Sequence, residues 1–302
     1  MRFSIWPSLT QPWEDVLAVA QHAEATGWDG VYAADHFMGD SGAPWPVEIP
    51  TLEATAVLSA LAVATERVRL APLVLGITYR HPAVVAKWAA TVDHVSGGRL
   101  LLGIGAGWQE NEHEQYGIRL GPPGERIERF EEAVRILRGL LSDEHTTVEG
   151  KYYEVRDALA EPKPVQERLP ILIGGKGDRM LGVVARHADE WNMWSDPPTI
   201  AERSAVLAQR CEKAGRDPST IRRSTQALFS VTDDPERART FAERVAPRPA
   251  VAGTPERIAE TVAEWRDVGV DEIIVPDFAL GSGQRRTDGM DALIEEVAPA
   301  FR

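Results

Sequence analysis

A carboxylate and an imidazole stand side by side where a short apolar run ends. Asp35 and His36 follow residues 30–34, which have the composition of a buried strand. Because imidazole titrates near neutral pH, His36 is a candidate for proton transfer, and Asp35 can hydrogen-bond a ligand. The structural alternative is a turn capped by Asp35 beside a packed His36, and spacing alone does not decide between the two interpretations.

A glycine-rich segment with two cations predicts an anion site. Gly174, Gly175 and Gly177 surround Lys176, and Arg179 follows in the first turn of a helical pattern. Backbone N–H groups at a helix N-terminus bind phosphate, and nearby cations strengthen that binding. The alternative is a plain glycine turn with solvated charges, and we favour the phosphate site.

Glycines also recur at every second position of residues 103–107. Gly105, Ala106 and Gly107 would let a flat or anionic ligand approach the backbone. The segment is not a dinucleotide-binding fingerprint, because Trp108 stands where the third glycine of G-x-G-x-x-G is required. Together with the anion site, these glycines fit a bulky planar cofactor that carries a phosphate.

Other kinds of catalytic site find no support in the sequence. Glu110, Glu112 and His113 lie close together but lack the ligand spacings of known metal sites, so we predict no metal. The G-x-S-x-G motif of serine hydrolases is absent. The single cysteine, Cys211, allows no intramolecular disulfide. Trp191 either packs in the core or lines a ring-binding site.

Composition limits the partners of this chain. The 302 residues contain 33 Lys and Arg against 46 Asp and Glu, a net charge of −13, which argues against nucleic acid and anionic membrane surfaces. No apolar run approaches the roughly 20 residues of a membrane span, and the N-terminus lacks the apolar region of a signal peptide. We therefore expect a cytoplasmic protein that binds small molecules.

The candidate site residues lie within a repeating pattern of short apolar runs and amphipathic stretches. Eight of the apolar runs predict strands buried on both faces of a parallel sheet. The predicted strands are Arg2–Trp6, Gly30–Ala34, Val68–Leu75, Leu100–Ile104, Ile171–Gly174, Glu190–Trp194, Ser224–Val231 and Glu272–Val275. This number of alternating strands and helices predicts a (β/α)8 TIM barrel, with a doubly wound open sheet as the alternative. Because no flexible linker is visible, we predict one domain over residues 1–302.

Two helices and a hairpin are predicted between these strands. The hairpin covers residues 147–155 and is inserted before the fifth strand. The two helices cover residues 82–95 and 125–141, and each has an apolar stripe that predicts its buried face. The stripes are Val84, Trp88, Val92 and Val95 in the first helix, and Ile127, Phe130, Val134, Leu137 and Leu141 in the second.

Six short motifs follow one another along the chain at 34–37, at 80–83, at 93–100 with 103–108, at 173–177, at 185–192, and at 253–256 with 268–272. In these motifs and their order the chain resembles the luciferase-like oxidoreductases, particularly the branch that uses the deazaflavin coenzyme F420. The resemblance covers nearly the whole chain. The resemblance implies a (β/α)8 barrel with an insertion and agrees with the strand count. Relatives are commonly dimers, so it also implies a homodimer.

The resemblance also implies roles for the candidate residues. The cofactor ring would lie at the strand C-termini near 105–107 and Trp191, with its phosphate on the loop 174–179. Asp35 would contact the cofactor and His36 would transfer a proton. A non-proline cis peptide is expected between Leu73 and Val74, in a bulge of the third strand behind the central ring.

The function that follows is hydride transfer between F420 and a small organic substrate: a ketone or alcohol, an imine or an activated C=C bond. The alternatives are an FMN-dependent monooxygenase fed by a separate flavin reductase, and a cofactor-binding protein without turnover. Sugar-phosphate dehydrogenases of this branch carry a glutamate where this chain has Trp108, so the acid role of that glutamate does not carry over and a sugar-phosphate substrate is not implied. The loops 35–50, 108–120 and 146–168 should select the substrate, and Trp45 loosely matches a tryptophan of the family.

Overall fold

The computed structural model describes residues 1–42 and 46–302, so the prediction for Trp45 lies outside the described residues. Its strands are β1 (Arg2–Trp6), β2 (Gly30–Ala33), β3 (Arg69–Pro72), β4 (Leu75–Gly76), β5 (Leu102–Gly105), β6 (Thr146–Glu149), β7 (Glu154–Ala158), β8 (Ile171–Gly174), β9 (Glu190–Trp194), β10 (Arg222–Gln226), β11 (Leu228–Val231), β12 (Ala250–Gly253) and β13 (Glu272–Pro276).

Nine of these strands form one parallel sheet in the order β3-β2-β1-β13-β10-β9-β8-β5-β4. The two edges, β3 and β4, are halves of one barrel position, separated by Leu73 and Val74. A bridge between Leu70 of β3 and Leu100, which lies just before β5, brings β3 beside the other end of the sheet, so the sheet closes on itself. The predicted TIM barrel is confirmed.

Helices cover the outside of the barrel. They are α1 (Trp13–Thr26), α2 (Ala54–Ala64), α3 (Pro82–Ser96), α4 (Glu110–Gln115), α5 (Pro123–Ser142), α6 (Asp178–His187), α7 (Pro197–Lys213), α8 (Pro235–Val245), α9 (Pro255–Asp267) and α10 (Gln284–Asp291), which continues as a wider turn over Ala292–Val297. In the described part of the chain, no helix has both the length and the apolar character needed to cross a membrane.

Side chains fill the barrel interior in layers, which leaves a mouth only at the C-terminal ends of the strands. The lowest layer is charged and consists of Arg2, Arg69, Glu190 and Glu272. Above it lies an apolar layer of Tyr32, Ala71, Leu73, Leu101, Leu172 and Ile274. Trp6 and Val74 rest on that layer and begin the mouth.

Two predicted strands are each divided in the structure. The run Val68–Leu75 is interrupted at Leu73 and Val74, where the chain bulges between β3 and β4. The run Ser224–Val231 breaks at Ala227, and its second half leaves the barrel to pair with β12 in a separate two-stranded sheet. Hydropathy did not show either break because both halves of each run are largely buried.

The predicted buried face of α3 is wrong in part. Val84 and Val95 are 60% and 50% exposed. The face that packs on the barrel consists of Val85, Ala86, Ala89, Ala90 and Val92. Alanines let a helix approach the sheet closely, whereas the prediction counted only large apolar side chains.

The other helix and the hairpin follow the prediction. In α5, Phe130, Val134 and Leu137 are fully buried, which confirms its apolar stripe. Strands β6 and β7 pair antiparallel between α5 and β8, so the predicted hairpin is present.

Candidate active site

The peptide bond between Leu73 and Val74 is cis, as the resemblance predicts. The bulge turns the Val74 side chain toward glycines of the neighbouring strands. A Cβ atom on Gly105 would lie 2.7 Å from Val74 Cγ2, and one on Gly174 would lie 3.1 Å from it. A Cβ on Gly103 would lie 2.0 Å from the backbone oxygen of Pro72. These glycines therefore make room for the bulge, a reason that their spacing alone did not reveal.

Asp35 supports the backbone after the bulge. It is 3% exposed and accepts a hydrogen bond of 2.9 Å from the N–H of Gly76. Arg80 donates to both carboxylate oxygens at 2.7 and 2.9 Å and also pairs with Glu53. Both carboxylate oxygens of Asp35 are thus hydrogen-bonded to Arg80. The contact between Asp35 and the cofactor stays a prediction.

His36 is held by a buried carboxylate that the sequence did not assign. Its Nδ1 lies 3.0 Å from Oε1 of Glu112, whose side chain is fully buried in the first turn of α4. Glu112 also accepts from the N–H of Phe37 at 2.8 Å and from the hydroxyl of Tyr79. Burial raises the pKa of Glu112, but the hydrogen bonds from His36, Phe37 and Tyr79 outweigh it and lower that pKa overall.

The same carboxylate keeps Tyr79 neutral. Burial, the hydrogen bond to Glu112 and the charges of Glu112 and Asp35 raise the pKa of Tyr79 well above its ordinary value. Tyr79 therefore acts as a hydrogen-bond donor to Glu112 and not as a base. Its ring packs between Phe37 and His113, at centroid distances of 4.7 and 4.6 Å.

Trp108 packs against the imidazole of His36. Its ring stands edge-on to the imidazole, with 5.4 Å between centroids and an interplanar angle of 81°. Trp108 is 57% exposed, whereas the His36 side chain is 29% exposed. The site thus presents a large aromatic ring beside the imidazole.

A hydrogen bond from the buried side chain of Trp191 holds the loop after β8. Gly175, at φ +136°, donates its N–H to the carbonyl of Asn192 at 3.0 Å and accepts from Trp191 Nε1 at 2.7 Å. Trp191 is fully buried in the core between sheet and helices. The structure therefore places Trp191 behind the loop, not in the mouth, and its predicted direct contact with a cofactor is not formed from this position.

The front of this loop has the features of an anion site. Gly177 precedes α6 and makes no side-chain cap, so the first N–H groups of the helix lack a capping side chain. Lys176 is exposed and has no hydrogen bond or ion pair within residues 1–42 and 46–302. Arg179 is 3.6 Å from Glu128, and Asp178 pairs with Arg203. Lys176 is thus the available cation of the loop.

The opposite side of the mouth is lined by aromatic side chains. Trp6 at the end of β1 lies 5.8 Å from the ring of Trp194, at the end of β9. Phe278, just after β13, stands edge-on to Trp6 at 5.8 Å and is 45% exposed. We call the sector formed by β9, β10, β13 and β1 the aromatic half, and the sector formed by β3, β4, β5 and β8 the glycine half. Asp35 and His36 follow β2, at one junction between them.

Residues 1–248 match the model of the luciferase-like monooxygenase family. The chain belongs to this family. It is 29% identical to an F420-dependent glucose-6-phosphate dehydrogenase of Microbacterium testaceum, over 93% of this chain and 91% of that protein. It is 27% identical to a pyrimidine monooxygenase of Cronobacter sakazakii, over 93% of this chain and 85% of that protein.

A solved structure has the same fold. It is an F420-dependent secondary alcohol dehydrogenase in complex with an F420-acetone adduct, 22% identical, with a TM-score of 0.86 over 100% of this chain and 99% of that one. This similarity confirms the luciferase-like barrel. Within that barrel, the described residues contain no group of three His, Cys, Asp or Glu side chains that could hold a metal ion.

Glu112, Trp6 and Phe278 belong to the site of this luciferase-like chain and were not predicted. Glu112 lies 76 positions from His36 in sequence, so no local pattern links the two. Trp6 and Phe278 carried one usable signal, because each lies at or just after the C-terminal end of a strand. In a TIM barrel, that position by itself predicts a place at the mouth.

Proposed function

We propose that this chain is an oxidoreductase that transfers a hydride between coenzyme F420 and a small organic substrate, which is a ketone or alcohol, an imine or an activated C=C bond. The observation that carries the proposal is the imidazole of His36, held by buried Glu112 at the barrel mouth beside the bulge at Val74. Two similar proteins that bear F420-dependent names, one in sequence and one in fold, support the choice of cofactor.

The residues of the glycine half fit a planar ring with a phosphate. Val74 and the glycines around it form a surface without large side chains, on which a flat ring can lie close to the backbone. Gly177 opens α6 with uncapped N–H groups, and Lys176 adds a positive charge. We assign the ring to the bulge and the phosphate to residues 174–177.

Side chains of this chain hold and transfer the proton of the reaction. F420, when bound, supplies a hydride at carbon C5 of its ring and acts only as a two-electron carrier. An ionised Glu112 accepts a hydrogen bond from Nδ1–H of His36, so Nε2 is the nitrogen that gains or loses a proton. When it carries this proton, Nε2 can donate it to the oxygen of a ketone whose carbon accepts the hydride.

A titration tests the choice of cofactor. Tryptophan fluorescence of the chain should be quenched by F420, and the deazaflavin absorbance should then change when a ketone or alcohol is added. Tight binding of reduced FMN without F420 binding would favour the second candidate, a monooxygenase that works with a flavin reductase. The similarity to a pyrimidine monooxygenase is the observation behind that candidate. F420 binding without turnover over a broad substrate panel would indicate a binding protein.

We further propose that the chain forms a homodimer through α2 and α3. Helix α2 contains no charged residue, and its outer face of Ala56, Ala60 and Val63 is exposed next to Val84 and Val95 of α3. A surface helix that is apolar on all sides is expected at an interface. Sedimentation velocity should show a dimer for the wild type and a monomer for Val63→Glu. A wild-type monomer would contradict the proposal.

The cytoplasmic location stays a prediction from the sequence.

A further inference from the structure

Gln226 is a buried amide whose oxygen has no partner. Its side chain is 4% exposed, and Oε1 accepts no hydrogen bond from the described residues. Leaving such an acceptor unpaired is unfavourable, so a specific reason is expected for it. Gln226 ends β10 in register with Trp194 of β9. Residues in register on parallel strands share a face, so Gln226 points into the mouth beside Trp194.

The surroundings of Gln226 are apolar and aromatic. Trp6 lines the aromatic half in ring contact with both Trp194 and Phe278. Ile274 is in register with Gln226 on the other neighbouring strand, β13. Aromatic walls of this kind bind apolar or ring-shaped groups, and a single amide among them sets orientation through one hydrogen bond.

The two arginines placed beside the aromatic half are already engaged. Arg286 donates to Asp277 and to Gln11 at its buried end. Arg248 lies over the ring of Trp194, with 5.9 Å from its Cζ to the ring centroid, and has a further interaction. A phosphate or carboxylate placed here would have to compete with these contacts. A neutral ligand would not.

We propose that the aromatic half holds the substrate, and that the substrate is an uncharged ketone or alcohol with an apolar, ring-sized body and a second neutral polar group that hydrogen-bonds to Gln226. This inference rests on the proposed function, since it takes the reacting carbon to face His36 and the cofactor in the glycine half. Gln226 then supplies a second anchor on the far side of the mouth from the bulge.

Two probe ligands that differ by one hydroxyl test the role of Gln226. Wild type and Gln226→Leu are compared with 4-hydroxycyclohexanone and cyclohexanone, both in turnover with reduced F420 and in ligand-observed NMR titrations without cofactor. Gln226→Leu should raise the KM and Kd of the hydroxyl-bearing ketone by about 3- to 10-fold and leave those of cyclohexanone unchanged. Trp194→Ala should weaken the binding of both ketones, because it removes the wall they share.

Matched measurements separate this role from a structural one. Gln21→Leu changes an exposed glutamine of α1 and should alter no binding constant. Because Gln226→Leu removes an unpaired buried acceptor, its Tm should stay equal to that of the wild type or rise, whereas a structural role would lower it.

Several outcomes would overturn the inference. If Gln226→Leu weakens F420 binding but leaves both ketones unchanged, the amide serves the cofactor. If Gln226→Leu changes the KM and Kd of the two ketones by the same factor, the hydroxyl of the substrate does not bind the amide, which is then satisfied by water only. A higher kcat/KM for glucose 6-phosphate than for the ketones would refute an uncharged substrate. If the wild type does not bind F420 while the NMR difference persists, the substrate pocket stands and the proposed function fails.

Discussion

The two halves of the barrel mouth are built in opposite ways. In the glycine half, Gly103, Gly105 and Gly174 leave no room for a side chain, because Val74 and the backbone of the bulge occupy the space. In the aromatic half, Trp6, Trp194 and Phe278 fill the strand ends with large rings. One half is shaped by its backbone and the other by its side chains.

This difference bears on which half can change without loss of the fold. A backbone surface tolerates few substitutions, since any added atom meets another part of the main chain or the bulge. A wall of side chains can be exchanged residue by residue while the strands beneath it stay in place. We expect the glycine half to hold the constant partner, the cofactor, and the aromatic half to set which substrate is accepted.

The largest effect is expected from Gly103→Ala. Its Cβ would lie 2.0 Å from the carbonyl oxygen of Pro72, and a backbone atom cannot move aside as a side chain can. We expect a loss of about 3 kcal/mol in the free energy of unfolding, measured by urea denaturation. Gly177→Ala is the matched control, because nothing lies within 4 Å of its Cβ position. It should cost no more than about 1 kcal/mol.

At the junction between the halves, His36→Asn should remove proton transfer. We expect kcat to fall by about 10²- to 10⁴-fold while F420 binding, measured by fluorescence titration, stays unchanged. His22→Asn, a histidine that pairs with Asp291 away from the mouth, serves as the control. An unchanged kcat in the His36 variant would assign the proton to another group.

Glu112 gives the junction a pH-dependent stability. Its pKa in the folded chain is lowered from the ordinary 4.5, so the folded state favours the ionised form. This contribution is fully present above pH 4.5 and is lost as the pH falls through the folded pKa. Urea midpoints of the wild type should therefore drop more steeply on acidification than those of Glu112→Gln. Glu114→Gln, an exposed residue of the same helix, should keep the wild-type slope.

The smallest effect is expected from a single charge of the glycine half. Lys176→Ala should weaken F420 binding by about 3- to 10-fold at low ionic strength, and the difference should shrink as salt is added. Lys163→Ala, on a lysine that donates to the carbonyl of Leu140, should leave F420 affinity unchanged. Equal affinities of wild type and Lys176→Ala would move the anion site away from this loop.

Much of the fold could be predicted because its signals are local. Apolar runs marked the barrel strands, and the resemblance located the cis bond at Leu73–Val74 within one of them. The break at Ala227 was missed, since burial on both sides of a break gives the same hydropathy as a continuous strand. The buried face of α3 was missed in part, because alanines carry little hydrophobic signal yet pack closest to the sheet.

For the site, the sequence located the loops but not the partners. His36 and the segment 174–177 were found because their residue types suggest chemistry wherever they occur. Glu112 became the partner of His36 only through folding, and the burial of the Gln226 amide oxygen without a donor likewise exists only in the folded chain. The structure places Trp191 away from the predicted site. Side chains alternate between the two faces along β9, so Trp191 points to the outer core and not to the mouth.

The sequence by itself determined the barrel, the family and the loops that meet at its mouth, because hydrophobic periodicity and short motifs are properties of neighbouring residues. Tertiary structure alone decided which side chains face each other across the mouth. Closing the sheet brings the ends of β1 and β13 beside those of β9 and β10, although about 190 to 270 residues separate β1 from these strands in the chain. The division into a glycine half and an aromatic half therefore exists only in the folded chain.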